Sequence, residues 1–219
     1  MSFRFPPAVK LANLPTPIER MRPLKELPDL PNVYIKRDDL TGIALSGNKV
    51  RKLEFCLAEA AALDARTIIT CGGIQSNHSR ATAVAAARLG MRSLLVLRGP
   101  EPSESDGNVL LDRLAGAEIR FITSEEWPRV NEIMAGIARD LAASGERAYA
   151  IPEGASYPPG VFGYIRAAEE IAGAQKALGI RFASIVTAVG SGGTYAGLVY
   201  GKRIFALEAD ILGINVLDT

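Results

Sequence analysis

Histidine and cysteine are scarce in this sequence of 219 residues. The single histidine, His78, cannot by itself support a histidine-rich metal site, so we expect no metal centre. A serine triad would also have to use His78, and no Gly-x-Ser-x-Gly elbow accompanies it. The two cysteines, Cys56 and Cys71, are too few for a disulfide framework and form no Cys-x-x-Cys motif. Their small number favours a reducing compartment.

Net charge and long apolar runs are also lacking. The sequence has 25 basic and 24 acidic residues, a formal net charge of +1, which gives no electrostatic case for nucleic acid or an anionic membrane as the main partner. No apolar run is long enough to span a bilayer, and residues 1–7 lack the apolar stretch of a signal peptide. We therefore expect a soluble cytoplasmic protein that binds neither nucleic acid nor a membrane.

The order of predicted elements indicates an α/β protein. Residues 1–32 contain seven prolines and are predicted to be an extended arm packed on the body. A helix should follow Asn48 as its N-cap, with Leu53, Leu57 and Ala60 in its buried stripe. Further on, short apolar strands, such as those predicted at 148–151 and 184–189, alternate with helices, such as that predicted at 163–178. This alternation is typical of βαβ crossovers and parallel sheets.

The pattern also predicts two domains. Residues 51–160 hold enough strand–helix units for a small doubly wound α/β domain. Residues 1–50 and 161–219 would form a larger, discontinuous domain. Its sheet has only three predicted strands, at 33–36, 184–189 and 211–216, and we expect it to be incomplete at the C-terminus, with further structure beyond Thr219. The predicted fold is thus two doubly wound parallel-sheet domains with the ligand cleft between them.

Three segments carry candidate chemistry, and the first is Ser46-Gly47-Asn48-Lys49-Val50-Arg51-Lys52. It places three cations, Lys49, Arg51 and Lys52, in the first turn of a helix, where anions are normally favoured. A lysine that breaks this rule is a candidate nucleophile, because the positive potential of the helix end lowers the pKa of its amine. The alternative is an exposed lysine that tolerates a small energetic cost.

The second segment, residues 71–80, joins the carboxyl end of a predicted parallel strand to a helix, which is where open α/β sheets bind ligands. Its glycine pair, Gly72 and Gly73, lets backbone approach a ligand closely. Four different polar groups then stand at one helix start: Gln75, Ser76, Asn77 and His78. A capped turn would explain only one of the four.

The third segment, Gly190-Ser191-Gly192-Gly193-Thr194, follows a predicted strand and opens a helix. Its glycines free backbone N–H groups to form an anion nest, which predicts a phosphate site rather than a plain tight turn. The lysine of a Walker loop is absent, and Tyr195 stands where a dinucleotide fingerprint has its third glycine. A monophosphate is left, from a mononucleotide or a cofactor. A reactive lysine, a polar turn and a monophosphate cradle together suggest pyridoxal 5′-phosphate.

These three segments resemble the D-cysteine desulfhydrase / 1-aminocyclopropane-1-carboxylate (ACC) deaminase family of fold-type II pyridoxal-phosphate enzymes, from about Pro15 to the last residue. The resemblance implies that Lys49 forms a Schiff base with the cofactor and then takes the substrate α-proton. It also implies that Asn77 hydrogen-bonds the cofactor's ring oxygen and that Gly190, Ser191, Gly192, Gly193 and Thr194 bind its phosphate. Ser76 would lie beside the substrate carboxylate as a second catalytic residue, with Gln75, Asn77 and His78 also around the substrate.

The resemblance leaves the substrate open. Asn77-His78 is similar to the desulfhydrase branch, in which D-cysteine yields pyruvate, ammonia and sulfide, whereas the deaminase branch more often has Gln after that Asn. ACC deaminase remains an alternative, and a sulfo-lyase acting on cysteate is a third. Family members continue past Thr219 with groups that stack on the cofactor ring or face its nitrogen. A truncated, non-catalytic relative and a nucleotide-binding module are the competing hypotheses. The family also implies a homodimer.

Overall fold

The computed structural model describes residues 3–22, 32–42 and 44–217. These residues form fourteen helices and strands. They are β1 Ile18–Arg20, β2 Tyr34–Lys36, α1 Asn48–Ala62, β3 Thr67–Gly73, α2 Asn77–Arg88, β4 Arg92–Arg98, α3 Gly107–Leu114, β5 Glu118–Ile122, α4 Val130–Ala143, β6 Ala148–Ile151, α5 Pro158–Leu178, β7 Ser184–Val189, α6 Gly193–Ile204 and β8 Asp210–Asn215. Short 3₁₀ turns lie at Asp38–Thr41, Trp127–Arg129 and Glu153–Ala155.

The central sheet has four parallel strands in the order β5-β4-β3-β6. Its two faces are covered by different helices. One apolar cluster joins α1 and α2 to β3, and includes Leu53, Leu57 and Ile68. A second cluster packs α4 against the other face, for example Met134 with Val96. A parallel sheet with helices on both faces confirms the predicted doubly wound α/β fold.

The remaining strands form two small sheets, and one prediction about them is wrong. Strands β7 and β8 pair in parallel, with Ser184 opposite Asp210. Strand β2, predicted to join them, instead pairs antiparallel with β1 in a separate sheet. The pairing was hidden because β1 has only three residues and lies within the proline-rich arm, where prolines argue against a strand.

The arm packs on the body of the protein, as predicted, and its contact is with α1. Residues 1–2 and 23–31 of the predicted arm lie outside the described residues. Backbone N–H groups of Leu11 and Ala12 both donate to the buried Glu54 carboxylate at 2.9 Å. Helix α5 crosses the start of α1 closely, because a Cβ atom at Gly163 would lie 2.6 Å from the carbonyl carbon of Arg51. These contacts hold the first turn of α1 in a fixed place. Across the described residues, no helix is both long and apolar enough to cross a membrane.

Candidate functional site

A cleft of about 390 Å³ brings the first and third candidate segments together. Its lining comes from the first turn of α1, from α5, and from the end of β7 with the loop that follows. The lining residues are Asn48, Lys49, Lys52, Tyr164, Thr187, Ala188, Gly190, Ser191, Gly192, Gly193, Thr194 and Val216. The predicted lysine and the predicted phosphate loop are therefore neighbours in space, although Lys49 and Gly190 are 141 positions apart in the sequence.

Lys49 stands in the first turn of α1, and the helix begins one residue earlier than predicted. The N-cap is Gly47, with φ of 90°, and Asn48 is the first helical residue. The Asn48 side chain is free to bridge the cleft because it does not cap the helix. Its Nδ2 donates to Thr194 Oγ1 at 3.1 Å, and its Oδ1 accepts from Lys49 Nζ at 3.2 Å. Burial lowers the pKa of Lys49, and the charge of Glu153 opposes this effect. Because the pKa is lowered, a larger fraction of the Lys49 amine is neutral at a given pH.

The loop after β7 lines the cleft with residues 190–194. Gly192 adopts a left-handed conformation with φ of 84°, and α6 begins at Gly193. The first N–H groups of a helix have no partner within it, so they are available to an anion. Ser156 fixes one side of the loop, since its Oγ accepts from Gly193 N at 3.1 Å and lies 2.7 Å from Ser191 Oγ. The glycine loop therefore lies at the N-terminus of α6, where an anion nest is expected.

Lys52 is a buried cation beside the same loop, and the sequence alone did not single it out for a role. The residue is 1% exposed. Its Nζ donates to Gly154 O at 3.0 Å and to Ser156 Oγ at 3.3 Å. Burial, followed by the nearby charge of Lys49, lowers the pKa of Lys52 to about 7. Its sequence signals were its charge near the start of the helix and its position three residues after Lys49, which places both lysines on one face of α1.

The second candidate segment forms the turn between β3 and α2. Ser76 is the N-cap of α2, and its Oγ accepts from Ser79 N at 3.1 Å. The side chains of Gln75 and Asn77 are exposed and are bonded to the start of α3. Among the described residues that line the cleft, this turn is not represented. It nevertheless lies close to the loop before α1, because the guanidinium of Arg80 donates to backbone carbonyls of that loop.

His78 points into the protein, although the resemblance places it near the substrate. The ring is 3% exposed, and its Nε2 lies 2.8 Å from Thr70 Oγ1. Thr70 uses its own hydrogen to bond Ile151 O at 2.7 Å, so Nε2 must be the donor to Thr70. Burial, and then the charges of Lys49 and Lys52, lower the pKa of His78 to about 3. The ring is therefore neutral near pH 7, and its hydrogen bond to Thr70 ties the turn to β3.

Arg51, the third cation of the first segment, serves a buried ionic network. Its guanidinium, which is fully shielded, pairs with Asp38 at 2.8 Å and with Glu170 at 2.8 Å. Tyr164 donates to the same Asp38 carboxylate at 2.6 Å. Such groups are costly to bury unless paired and hydrogen-bonded, and here they link the Asp38–Thr41 turn, α1 and α5. Arg51 thus fixes the direction of the first turn of α1, on which both lysines stand.

The family described as "pyridoxal-phosphate dependent enzyme" matches residues 9–217. The chain belongs to this family. Its cofactor is pyridoxal phosphate, and the family assignment replaces the alternative of a nucleotide-binding module.

Individual relatives of this family carry two activities in their names. A mitochondrial bifunctional D-cysteine desulfhydrase/1-aminocyclopropane-1-carboxylate deaminase of Arabidopsis thaliana is 45% identical over 223 residues, which cover 95% of this chain and 54% of the plant protein. A D-cysteine desulfhydrase of Serratia proteamaculans is 38% identical over 215 residues, covering 96% of this chain and 64% of that protein. The crystal structure of an ACC deaminase homologue has a TM-score of 0.86 and 41% identity, covering 96% of this chain and 63% of its own. The chain thus spans between about half and two thirds of these relatives.

The cleft suits both ends of this cofactor. A phosphate group needs N–H donors and positive charge, which the loop 190–194 and Lys52 provide. An aldehyde needs an amine with a lowered pKa, which Lys49 provides. The cradle also depends on glycine, since a Cβ atom at Gly193 would lie 2.9 Å from Lys52 Nζ and would intrude between the loop and the lysine.

Proposed function

We propose that this chain is a pyridoxal-phosphate dependent lyase acting on a small amino acid, with D-cysteine as the first candidate substrate. The observation that carries the proposal is the shared cleft, in which a lysine with a lowered pKa faces a glycine-rich loop at a helix N-terminus. Names of the similar proteins support the substrate class. D-Cysteine and water would yield pyruvate, ammonia and sulfide. The activity and partners of the whole protein are part of this proposal.

Pyridoxal phosphate, when bound, supplies an aldehyde for a lysine and a ring that withdraws electrons from the substrate α-carbon. In the proposal, Lys49 Nζ holds the aldehyde end and then takes the α-proton, which it can do because burial lowers its pKa. The N–H groups of residues 190–194 hold the phosphate, and Lys52 neutralises part of its charge. Thr194 is tied to the first turn of α1 through Asn48, which couples the two ends of the site.

The 75–78 turn would hold the substrate and the cofactor ring. Ser76 Oγ accepts the cap bond from Ser79 N, so its own hydrogen is free to donate to a substrate carboxylate. Asn77 would donate to the ring oxygen. Gln75 and His78 enter the proposal as supports of the turn, since the side chain of Gln75 is bonded to the start of α3 and that of His78 to Thr70.

ACC deaminase is the second candidate, because the plant relative carries both activities in its name and the similar crystal structure is that of an ACC deaminase homologue. Two further expectations remain proposals. One is the division into domains 1–50 with 161–219 and 51–160, supported by the position of all four central strands within the latter range. The other is a homodimer.

The test is reductive trapping. The purified chain is mixed with pyridoxal phosphate, reduced with borohydride and digested, and the modified peptide is located by mass spectrometry. We expect the label on Lys49 and its loss in Lys49→Ala. Specific labelling of Lys52, or a label scattered over surface lysines, would overturn the proposed role of Lys49. If no lysine is labelled, the non-catalytic alternative is favoured. Sulfide release from D-cysteine, compared with ammonia release from ACC, then separates the two candidate substrates.

A further inference from the structure

The loop that begins α3 is bonded to the 75–77 turn by four hydrogen bonds. Gln75 Nε2 donates to Asp106 Oδ1 at 3.0 Å, and Gln75 Oε1 accepts from the backbone N–H of Asn108 at 2.7 Å. The side chain of Asn108 makes the other two bonds. Its Nδ2 donates to Gln75 O at 2.8 Å and to Asn77 Oδ1 at 3.1 Å. Asn108 thus ties the backbone and a side chain of the turn to α3.

These bonds fix which end of the Asn77 amide faces Asn108. A backbone carbonyl can only accept, so the group of Asn108 that contacts Gln75 O must be its NH₂. The second hydrogen of the same NH₂ is directed to Asn77 at 3.1 Å, where only an oxygen can accept it. The carbonyl end of the Asn77 side chain is therefore held toward Asn108, and its NH₂ end is turned away from Asn108.

Position 107 must be glycine for the loop to come this close. A Cβ atom at Gly107 would lie 2.5 Å from Gln75 Oε1, and the residue has φ of 47°. A side chain would therefore push the two loops apart and strain the backbone. Close packing of the loops brings Asn108 within reach of both acceptors.

We propose that Asn108 is a positioning residue that orients the Asn77 amide so that its NH₂ group, rather than its carbonyl, is offered to the ring oxygen of the cofactor. This inference rests on the proposed function. The ionised ring oxygen of pyridoxal phosphate accepts hydrogen bonds, so a donor stabilises it and a carbonyl placed there repels it. The two orientations of an asparagine amide differ in shape by very little. A partner with fixed polarity is needed to choose between them, and Asn108 has that polarity because Gln75 O sets it.

The decisive variant is Asn108→Asp, which keeps the shape but removes both donor hydrogens. A carboxylate accepts only, so Asn77 would turn its NH₂ toward Asp at position 108 and present its carbonyl to the cofactor. The matched control is Asn131→Asp, which adds the same charge at an exposed position on α4. Titration with pyridoxal phosphate, followed by visible absorption, gives the dissociation constant and the pH midpoint of the lysine-bound band.

We expect Asn108→Asp to weaken cofactor binding by about 10–100-fold, by analogy with the loss of groups that orient metal-binding side chains, and to move the pH midpoint of the band. Asn131→Asp should match the wild type in both. The same measurements in an Asn77→Ala background isolate the coupling, because Asn108→Asp should then have little further effect. A full effect in that background would overturn the inference, since Asn108 would not be acting through Asn77.

Failure of the inference differs from failure of the proposed function. If the wild type forms the Lys49-linked band and Asn108→Asp behaves like Asn131→Asp, the proposed function stands and only the role of Asn108 is wrong. If the wild type forms no such band, the proposed function fails and the inference fails with it. Thermal unfolding of each variant is measured in parallel. Equal unfolding temperatures, together with different pH midpoints of the absorption band, support a positioning role over a merely structural one.

Discussion

Lys52 offers a direct test of the charge balance in the site through the change Lys52→Met. Methionine keeps a long unbranched side chain but removes the amine. In the folded protein this amine is buried, and the pKa of Lys52 is lowered to about 7 from its ordinary value of 10.5, first by burial and then by the charge of Lys49. In the unliganded protein, the charged form of Lys52 should therefore lower the free energy of unfolding.

The cost follows from the shift. A difference of about 3.5 between the unfolded and folded pKa values corresponds to about 5 kcal/mol. Because the folded pKa is the lower one, the unfolded chain binds the proton more strongly, and the cost is complete below pH 7 and gone above about pH 10.5. Removal of the amine also leaves Gly154 O and Ser156 Oγ without this donor, a loss of about 1–3 kcal/mol that does not depend on pH.

Two opposing effects predict a change of sign. At pH 6, Lys52→Met should be more stable than the wild type by about 2–4 kcal/mol, and at pH 10.5 it should be less stable by about 1–3 kcal/mol. Denaturant unfolding at several pH values measures this difference. Lys176→Met, which removes an exposed lysine on α5, should give a small difference that hardly varies with pH. A flat difference for Lys52→Met would refute the reasoning, because it would show that Lys52 is not destabilised by its surroundings.

Ligand binding provides a second test of the Lys52 amine, through the protons that are taken up when a phosphate binds. At pH 8 a group with pKa of about 7 carries only about a tenth of a proton. A phosphate monoester in the loop should restore the charge and take up about 0.9 proton per molecule bound. Calorimetry of pyridoxine 5′-phosphate, which has no aldehyde, in two buffers of different ionisation enthalpy measures this uptake. The uptake should disappear in Lys52→Met, and equal uptake in both proteins would contradict a phosphate role for Lys52.

Three further predictions concern other buried groups. Burial raises the pKa of Asp112 to about 7, so Asp112→Asn should stabilise the protein by up to about 4 kcal/mol above pH 7 and by almost nothing at pH 4, with the exposed Asp140→Asn as control in denaturant unfolding. Arg51→Met removes the guanidinium from two largely buried carboxylates, Asp38 and Glu170, and leaves Lys36 as the cation paired with Glu170, so it should cost about 3–5 kcal/mol in the same assay. Gly193→Ala would put a Cβ atom 2.6 Å from Ser156 Oγ, so we expect weaker binding of pyridoxine 5′-phosphate by calorimetry and a loss of about 1–3 kcal/mol in stability.

Periodicity predicted the larger elements of the fold well. Strands β6 and β7 have the predicted bounds, and the buried stripe of Leu53, Leu57 and Ala60 is fully shielded. Element boundaries were harder to predict where a residue type is common in two kinds of structure. Helix α5 begins at Pro158, five residues before the predicted start, because prolines there look like a loop although they are well suited to a first helical turn. Strand β1 was missed since its pairing partner is not local.

The candidate site was predictable where chemistry conflicts with local rules. Lys49 stood out as a cation at the positive end of a helix, and the glycines of 190–194 indicated an anion nest. Asn108 and Ser156 carry no such signal, because a single polar residue in a loop is typical of any surface. Their importance lies in contacts across 33 and 37 residues of sequence, with Gln75 and Gly193 respectively, and these depend on tertiary structure.

The roles proposed for Lys49 and Lys52 show why sequence alone could not complete the candidate site. Both are lysines on one face of α1, three residues apart, and any local property that favours one as the nucleophile favours the other. Burial separates them. Lys49 is only partly buried and can reach a ligand in the cleft, whereas Lys52 is 1% exposed and is held by Gly154 and Ser156 against the phosphate loop. In the proposal, Lys52 is therefore not the nucleophile although burial lowers its pKa to about 7, because access and not pKa decides which lysine a cofactor aldehyde can meet.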